Sequence, residues 1–292
     1  MNFEQYHFRQ GERPDHDNRT LSERLSFKPQ PAVHFASYNT CRDQAKSHVK
    51  IKLGQYLFRC SGQDGHAFFE IWQHGQKVYS EGGIGFRYRV LNRSDQENRL
   101  PPNRDFTNDE LPDLVVESDA GGVHCCYTYF IFSLGDRFEL LGQIEGGNSH
   151  FYFNDLDGDK IVEAVGGDDT FTYWRTCYAC SYIPQVVLRY SDGGYRLATD
   201  LMAKPAPSDE EIIVRVKEVK EQWANEDQEY SPLVLGYMLD LIYSGNGTAA
   251  WRFLEMAWPA NKKGKGQFLK EFKEQLTKSP YWPELRAMNG WQ

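Results

Sequence analysis

From Tyr56 to about residue 200, short apolar stretches alternate with clusters of turn-forming residues. Apolar and polar positions that alternate with a period of two, bounded by glycine-containing turns, are typical of β-hairpins. Three such stretches align on their turn glycines at separations of 60 and 57 residues, and they span 71–79, 131–139 and 188–196. Repetition at this spacing predicts a β-rich repeat body, either propeller-like or built from open or sandwich-like antiparallel sheets.

After Leu201 the apolar positions change to a helical period. Ser208 and Glu211 have the spacing of a capping box. The apolar face of the helix that follows consists of Ile212, Ile213, Val216, Val219 and Trp223. Further helices are predicted from Ser231 to Tyr243, from Thr248 to Trp258, from Phe268 to Leu276 and from Pro283 to Met288. The pattern predicts an α+β protein with an irregular N-terminal arm at 1–35, a β-rich repeat domain at 36–202 and a small all-helical C-terminal domain at 208–292.

Two acidic segments, 105–113 and 155–163, lie 50 residues apart, and each precedes an apolar run. Calcium prefers six to eight oxygen ligands, which a tight loop supplies from alternate positions. Positions one, three, five, seven and nine of the second loop are Asp155, Asp157, Asp159, the carbonyl of Ile161 and Glu163. The same positions of the first loop are Asp105, Thr107, Asp109, the carbonyl of Leu111 and Asp113. These ligands predict a calcium ion in each loop, and the alternative is a pair of solvated turns in which Asp and Asn cap the backbone.

The spacing resembles the calcium loop of FG-GAP and VCBS-type repeats, which form the blades of integrin-like β-propellers. In those repeats an Asp-x-Asp-Gly-Asp-Gly-x-x-Asp loop precedes a strand of the Asp-Leu-Val-Val kind, which residues 113–116 match. The resemblance covers about residues 100–200 and implies calcium-stabilised β units. Glu110 and Lys160 replace the second glycine of the pattern, at a position that often needs a positive φ.

Six cysteines stand at positions 41, 60, 125, 126, 177 and 180. Cys125 and Cys126 fall in a predicted strand, where neighbouring side chains point to opposite faces, so a bond between them is not expected. One hypothesis pairs Cys41 with Cys60 and joins Cys125 or Cys126 to Cys177 or Cys180, as in proteins of oxidising compartments. A second hypothesis places a zinc ion among His124, Cys126, Cys177 and Cys180. The third leaves the cysteines as thiols.

The chain has a net charge of −8, from 33 basic and 41 acidic residues, and its Lys and Arg residues are scattered. Binding a phosphate backbone needs a concentrated positive surface, so nucleic acid is not an expected partner. No apolar run reaches the roughly 18 residues of a membrane span, and the N-terminal segment lacks the apolar core of a signal peptide. We therefore expect a soluble chain with no membrane span and no export signal in this sequence.

The sequence contains no Gly-x-Ser-x-Gly, phosphate-loop, His-Glu-x-x-His or dinucleotide-binding pattern. The leading hypothesis is a non-enzymatic, calcium-stabilised binding protein that recognises a protein or glycan partner, as a bacterial envelope component or an inhibitor or immunity-type protein. The first alternative is a metal-assisted hydrolase that combines acidic-loop carboxylates with His124 or His150. The second is a cytosolic scaffold that binds through its C-terminal helices. The resemblance and the cysteines favour a periplasmic or secreted location over a cytoplasmic one.

Overall fold

The structure of the chain is a computed structural model that describes residues 40–42, 47–84, 87–90, 105–120, 125–223 and 231–291. Within these ranges β-sheets extend to about residue 197 and helices follow, which confirms the predicted α+β class with a helical C-terminal part. The predicted N-terminal arm at 1–35 lies outside the described residues. No helix in those ranges has the length and apolar character that crossing a bilayer requires.

The described residues divide into two compact units. The β unit comprises 40–167 and 188–196, and the helical unit comprises 168–187 and 197–291. The segment 168–187, which the sequence placed in the β-rich domain, clusters with the helices. Its Phe171 lies against Phe272 with 5.4 Å between ring centroids, so aromatic packing holds this segment in the helical unit.

Thirteen strands lie within the described ranges: β1 (Thr40–Arg42), β2 (Ser47–Leu53), β3 (Tyr56–Gln63), β4 (His66–Gln73), β5 (Gln76–Ile84), β6 (Arg87–Val90), β7 (Asp113–Asp119), β8 (Tyr127–Leu134), β9 (Phe138–Gly147), β10 (Tyr152–Asn154), β11 (Glu163–Gly167), β12 (Gln185–Ser191) and β13 (Gly194–Leu197). They form three antiparallel sheets. The orders are β1-β6-β7-β8-β9, β2-β3-β4-β5 and β10-β11-β12-β13. Most neighbours are consecutive in the chain, so short turns make most connections.

Hairpins form at all three places that the turn glycines predicted, and each lies in a different sheet. The β4–β5 turn has His74 and Gly75 at φ of 49° and 81°, and the β12–β13 turn has Asp192 and Gly193 at 51° and 77°. Two consecutive positive φ angles are typical of a type I′ turn, which favours glycine because it has no Cβ to clash. Local turn chemistry therefore sets the hairpin positions.

The core of the β unit is an aromatic cluster that contains residues from the first and second sheets. Phe69 on β4 is fully buried, and its ring centroid lies 5.0 Å from that of Tyr88 on β6 and 5.7 Å from that of Phe130 on β8. Because side chains alternate along a strand, the neighbouring Phe68 faces the other way and is 43% exposed. The aromatic content of the sequence thus fills the interface between two sheets.

Six helices lie within the described ranges: α1 (Thr199–Met202), α2 (Asp209–Trp223), α3 (Pro232–Tyr243), α4 (Gly247–Ala257), α5 (Lys265–Leu276) and α6 (Trp282–Met288). The predicted capping box is present at α2. The Ser208 amide donates to Glu211 Oε2 at 2.8 Å, and the Glu211 amide donates to Ser208 Oγ at 3.2 Å. Ser231 caps α3 as predicted, since its Oγ accepts the Leu233 amide at 3.3 Å. These caps satisfy amides that the helices themselves leave free.

Two details of the predicted helices are corrected. The third predicted helix begins at Gly247, one residue before the predicted start at Thr248. The Gly247 amide instead donates to Asn289 Oδ1 at 2.6 Å, so a residue distant in the sequence satisfies the helix terminus. Ile213, assigned to the apolar face of α2, is 55% exposed, because it lies at the edge of the stripe whose other members are buried.

Candidate functional site

The first acidic loop, residues 105–113, is a tight turn held by side-chain oxygens. Asp105 Oδ1 accepts the amides of Thr107 and Asp109, each at 3.1 Å, and Asp105 Oδ2 accepts the amide of Glu110 at 2.7 Å. Asp109 Oδ1 accepts the amide of Leu111 at 2.9 Å. An aspartate whose carboxylate accepts amides ahead of it folds the chain without help from distant residues. The loop conformation is therefore encoded locally.

The second acidic loop, residues 155–163, repeats this arrangement. Asp155 Oδ1 accepts the amide of Gly158 at 2.7 Å, and its Oδ2 accepts the amide of Lys160 at 3.2 Å. Asp159 Oδ1 accepts the amide of Ile161 at 2.8 Å, as Asp109 does from the residue two positions ahead. The carboxylates at positions one and five thus act alike in both loops.

The backbone angles of the two loops also correspond. Position four has a φ of 59° at Asn108 and 84° at Gly158. Position six, where the glycine of the calcium-loop pattern is replaced, has a φ of 67° at Glu110 and 73° at Lys160. Side chains at position six are thus held in the left-handed region, at a penalty of roughly 1 kcal/mol each.

The ninth residue closes each loop and begins a strand. Asp113, the first residue of β7, accepts the Phe106 amide through Oδ2 at 2.7 Å. Glu163, the first residue of β11, accepts the Leu156 amide through Oε2 at 2.8 Å. Both carboxylates are buried, at 3% and 0% exposure. Equivalent bends therefore introduce strands of two different sheets.

The two loops differ in the charge that faces the second oxygen of the ninth residue. Glu163 Oε1 accepts Arg189 Nε at 2.8 Å, and Arg189 Nη2 also donates to Asp157 Oδ2 at 2.5 Å. Asp113 Oδ1, in contrast, is buried without a hydrogen-bond partner. In the second loop a guanidinium neutralises the buried carboxylate. In the first loop no cation among the described residues pairs with the same position.

The pKa of Asp113 is raised to about 7, mainly by burial; the carboxylates of Asp109 and Asp105 also raise it, and the amides of Phe106 and Thr107 lower it. Burial strips water from the Asp113 carboxylate, and the negative charges of Asp109 and Asp105 act on it as well, so its ionised form is disfavoured. A cation beside these oxygens would favour the charged form. The donor set is all oxygen, which suits a hard cation such as calcium.

In the second loop, oxygen atoms of Asp155, Asp157 and Asp159 lie within 4.8 Å of one another, which is close enough to share an ion. These are the residues at positions one, three and five of the loop. Arg189 was not predicted, because it lies 26 residues beyond Glu163 and no spacing rule connects them.

The cysteine pairing differs from the prediction. Cys125 and Cys126 form a disulfide with each other, and Cys177 forms one with Cys180. The first pair precedes β8, which begins at Tyr127, so the alternation of strand side chains does not apply to it. The second pair brackets a single 3₁₀ turn, with Cα atoms 5.1 Å apart. The predicted crossed disulfide between these two regions is therefore not formed.

These disulfides also remove three of the four predicted zinc ligands, because the Sγ atoms of Cys126, Cys177 and Cys180 are bonded to sulfur. The fourth, His124, lies outside the described residues. Cys60 is disulfide-bonded, whereas the side chain of Cys41, its predicted partner, lies outside the described part of the chain.

The other histidine of the hydrolase hypothesis, His150, lies near a different carboxylate. Its Nδ1 is 3.8 Å from Glu117 Oε2, and its ring stacks on Tyr127 with 3.8 Å between centroids. Glu117 is buried and accepts the hydroxyl of Tyr129 at 3.0 Å. The geometry pairs His150 with this strand carboxylate, and no ion pair joins it to an acidic loop among the described residues.

The helical unit contains a small cavity, about the size of a water molecule, that the sequence did not predict. Its lining consists of Glu211, Ile212, Arg215, Tyr237, Asp240, Leu241 and Phe253. Arg215 stacks on the ring of Tyr237 at 4.5 Å, and its Nη2 has no hydrogen-bond partner. Tyr182 donates its hydroxyl to Asp240. Burial raises the pKa of Asp240 to about 6, against the lowering effects of Tyr182 and Arg215.

The raised pKa predicts how stability changes with pH. Because the folded state holds the proton of Asp240 more tightly than the unfolded chain does, stability from this group is greatest at low pH and is lost as the pH rises through about 6. Relative to Asp240→Asn, which cannot ionise, the wild type should lose about 2 kcal/mol between pH 4 and pH 7. Urea unfolding of both proteins across this range measures the difference. A difference that is flat with pH would contradict the assignment, and Asp192→Asn, at an exposed turn, serves as the control.

No family model matches the chain, and comparisons with curated proteins and with solved structures find no match. Function is therefore inferred from the geometry of the site.

Proposed function

We propose that this chain is a non-enzymatic binding protein whose β unit is stabilised by calcium in the first acidic loop. One observation carries the proposal: Asp113 Oδ1 is buried and unpartnered beside the carboxylates of Asp105 and Asp109. A buried carboxylate oxygen without a hydrogen-bond partner is unfavourable by about 1 to 3 kcal/mol. Calcium supplies the missing positive charge, and Thr107 and the carbonyl of Leu111 add oxygens at alternate positions.

The surface near the loops supports a role in recognition. Both acidic loops expose a leucine, Leu111 at 40% and Leu156 at 42%, and Leu140 on β9 is 41% exposed. Apolar side chains beside fixed charges are typical of interfaces, in which an apolar centre is surrounded by a polar rim. These leucines favour a protein partner over a glycan.

The disulfides support a periplasmic or secreted location. Disulfides form and persist in oxidising compartments, and the described cysteines include two bonded pairs and the bonded Cys60. We therefore propose a periplasmic or secreted setting, consistent with an envelope component or an inhibitor or immunity-type protein. The two alternatives have less support. His150 lies beside Glu117, and among the described residues no ion pair joins it to an acidic loop. The scaffold hypothesis depends on two exposed α2 residues, Ile213 and Val214.

Calcium binding is the first test. We expect native mass spectrometry of the full chain to show a bound calcium ion that a chelator removes, with a matching fall in the thermal midpoint. At a free calcium concentration about 100 times the dissociation constant, the stabilisation would be about 2.7 kcal/mol. Asp113→Asn should abolish both the ion and the shift, because the amide keeps the size of the side chain and loses its charge.

Asp192→Asn is the matched control, since Asp192 is an exposed turn residue with a positive φ that asparagine also adopts. It should keep the ion. Without calcium, Asp113→Asn should be at least as stable as the wild type, which separates loss of the ion from loss of the fold. A wild-type chain that takes up no calcium and shows no thermal shift would overturn the proposal.

A further inference from the structure

The ninth residue of each acidic loop has two carboxylate oxygens with distinct tasks. One oxygen, Asp113 Oδ2 or Glu163 Oε2, accepts the amide of the second loop residue in both cases. The other oxygen is where the loops diverge. It is unpartnered in Asp113 and bonded to Arg189 Nε in Glu163. The same backbone conformation thus leaves this oxygen without a hydrogen-bond partner in the first loop and pairs it with a cation in the second.

We infer that Arg189 is the built-in cation of the second acidic loop and occupies the place where calcium would otherwise bind. Its guanidinium joins position nine to position three, through Nε to Glu163 at 2.8 Å and Nη2 to Asp157 at 2.5 Å. A planar guanidinium that donates to two carboxylates is held in one orientation and compensates their negative charge. The inference that the first loop alone takes calcium rests on the proposed function, whereas the role of Arg189 does not.

The ion pairs of Arg189 with Glu163 and Asp157 are largely buried. The side chain of Glu163 is fully buried, and those of Arg189 and Asp157 are only 19% and 31% exposed. Removing one member of a buried pair leaves an uncompensated charge, which is strongly unfavourable. Glu163 therefore requires a cation, and Arg189 provides it from β12 without any ion from solution.

The other oxygens of Asp157 and Glu163 accept backbone amides. Asp157 Oδ1 accepts the Asp159 amide at 3.2 Å, and Glu163 Oε2 accepts the Leu156 amide. A calcium ion at this loop would have to displace the guanidinium from two of its five ligands and remain beside a positive charge. Two positive charges a few ångströms apart repel each other, which disfavours a calcium ion while Arg189 holds its place.

Among the described residues, the first loop has no equivalent of Arg189. The residue directly across the sheet from Asp113 is Ser133, which is buried, uncharged and itself without a hydrogen-bond partner for Oγ. Within the described part of the chain, no Lys, Arg or His forms an ion pair with Asp105, Asp109 or Asp113. The second loop thus has a counter-charge within the chain, and the first loop depends on an ion from solution for its counter-charge.

The decisive experiment counts calcium ions on the full chain by native mass spectrometry and isothermal titration with calcium chloride. The wild type should bind one ion, and Arg189→Met, which keeps much of the apolar stem and removes the charge, should bind two. The added ion should disappear in the double variant Arg189→Met with Asp157→Asn. Arg196→Met removes an exposed arginine from neighbouring β13 and should leave the count unchanged.

The outcomes separate this inference from the proposed function. If the wild type binds no ion but Arg189→Met binds one that Asp157→Asn removes, the inference stands and calcium in the first loop is refuted. If the wild type binds one ion through Asp113 and a folded Arg189→Met binds no second, the inference fails alone. A wild type that binds two ions, one of them lost in Asp157→Asn, also overturns it.

Should Arg189→Met fail to fold, hydrogen exchange of the wild type gives an independent test. With a chelator present, the amides of Gly158 and Lys160 should keep their protection, because Arg189 holds their loop closed. The amides of Asp109 and Glu110 in the first loop should exchange faster. Loss of protection at Gly158 and Lys160 on adding chelator would refute the built-in cation.

Discussion

Asp168→Ala should lower the free energy of unfolding of the helical unit by about 3 to 5 kcal/mol. Asp168 is 2% exposed, and its Oδ2 accepts both the hydroxyl of Tyr243 and that of Ser279 at 2.5 Å. Its Oδ1 accepts the Thr170 amide at 2.9 Å. Alanine would leave these buried donors without partners, and an unsatisfied buried donor is unfavourable by about 1 to 3 kcal/mol.

The buried hydroxyls of Tyr243 and Ser279 need the Asp168 carboxylate as an acceptor, because they keep their protons. Burial, followed by the charge of Asp168, raises the pKa of Tyr243 well above its usual value, so its hydroxyl keeps its proton and must donate. Asp168 thus joins the 3₁₀ turn at Asp169–Phe171 to α3 and to the segment before α6. Its partners lie 75 and 111 residues further along the chain, so no local pattern in the sequence predicts this role.

Tryptophan fluorescence during urea unfolding measures the effect, since Trp174, Trp223, Trp251, Trp258, Trp282 and Trp291 all lie in the helical unit. Asp169→Ala is the control. That carboxylate accepts the hydroxyl of Thr172 within its own turn, so its removal should be unfavourable by about 1 kcal/mol or less. Equal losses in the two variants would refute the bridging role of Asp168.

Phe69→Ala should destabilise the β unit by about 3 to 5 kcal/mol. Its ring is fully buried and lies within 5.0 to 6.3 Å of the rings of Phe58, Tyr79, Tyr88, Phe130 and Phe132. Truncation removes the apolar area and leaves a cavity that the surrounding sheets fill only in part. Loss of the offset and edge-on ring contacts adds to the effect.

Hydrogen exchange of β3 and β4 in increasing urea reports on the β unit separately from the helices. Phe68→Ala is the matched control: the same chemical change one residue away, on the face that is 43% exposed. It should lower stability by no more than about 1 kcal/mol. If Phe68→Ala proved as harmful as Phe69→Ala, the assigned core face of β4 would be wrong.

The sequence by itself determined those features whose causes lie within a few residues. The turns at Gly75 and Gly193, the capping box of Ser208 and the conformations of both acidic loops all arise from contacts between near neighbours, in which a side-chain oxygen or a missing Cβ selects the backbone angles. The period at which apolar residues recur along the sequence then distinguishes strands from helices. These interactions join near neighbours in the sequence, so local patterns are enough to predict them.

Only the tertiary structure decided which distant groups meet. Arg189 reaches Glu163 and Asp157 because β12 lies beside β11 in the sheet, while Asp113 faces the uncharged Ser133, so two locally alike loops acquired different electrostatic environments. The cysteine pairing also departed from the sequence argument, since Cys125 and Cys126 lie before their strand and not in it. Long-range contacts depend on how the sheets and helices pack, and no spacing within the chain specifies that packing.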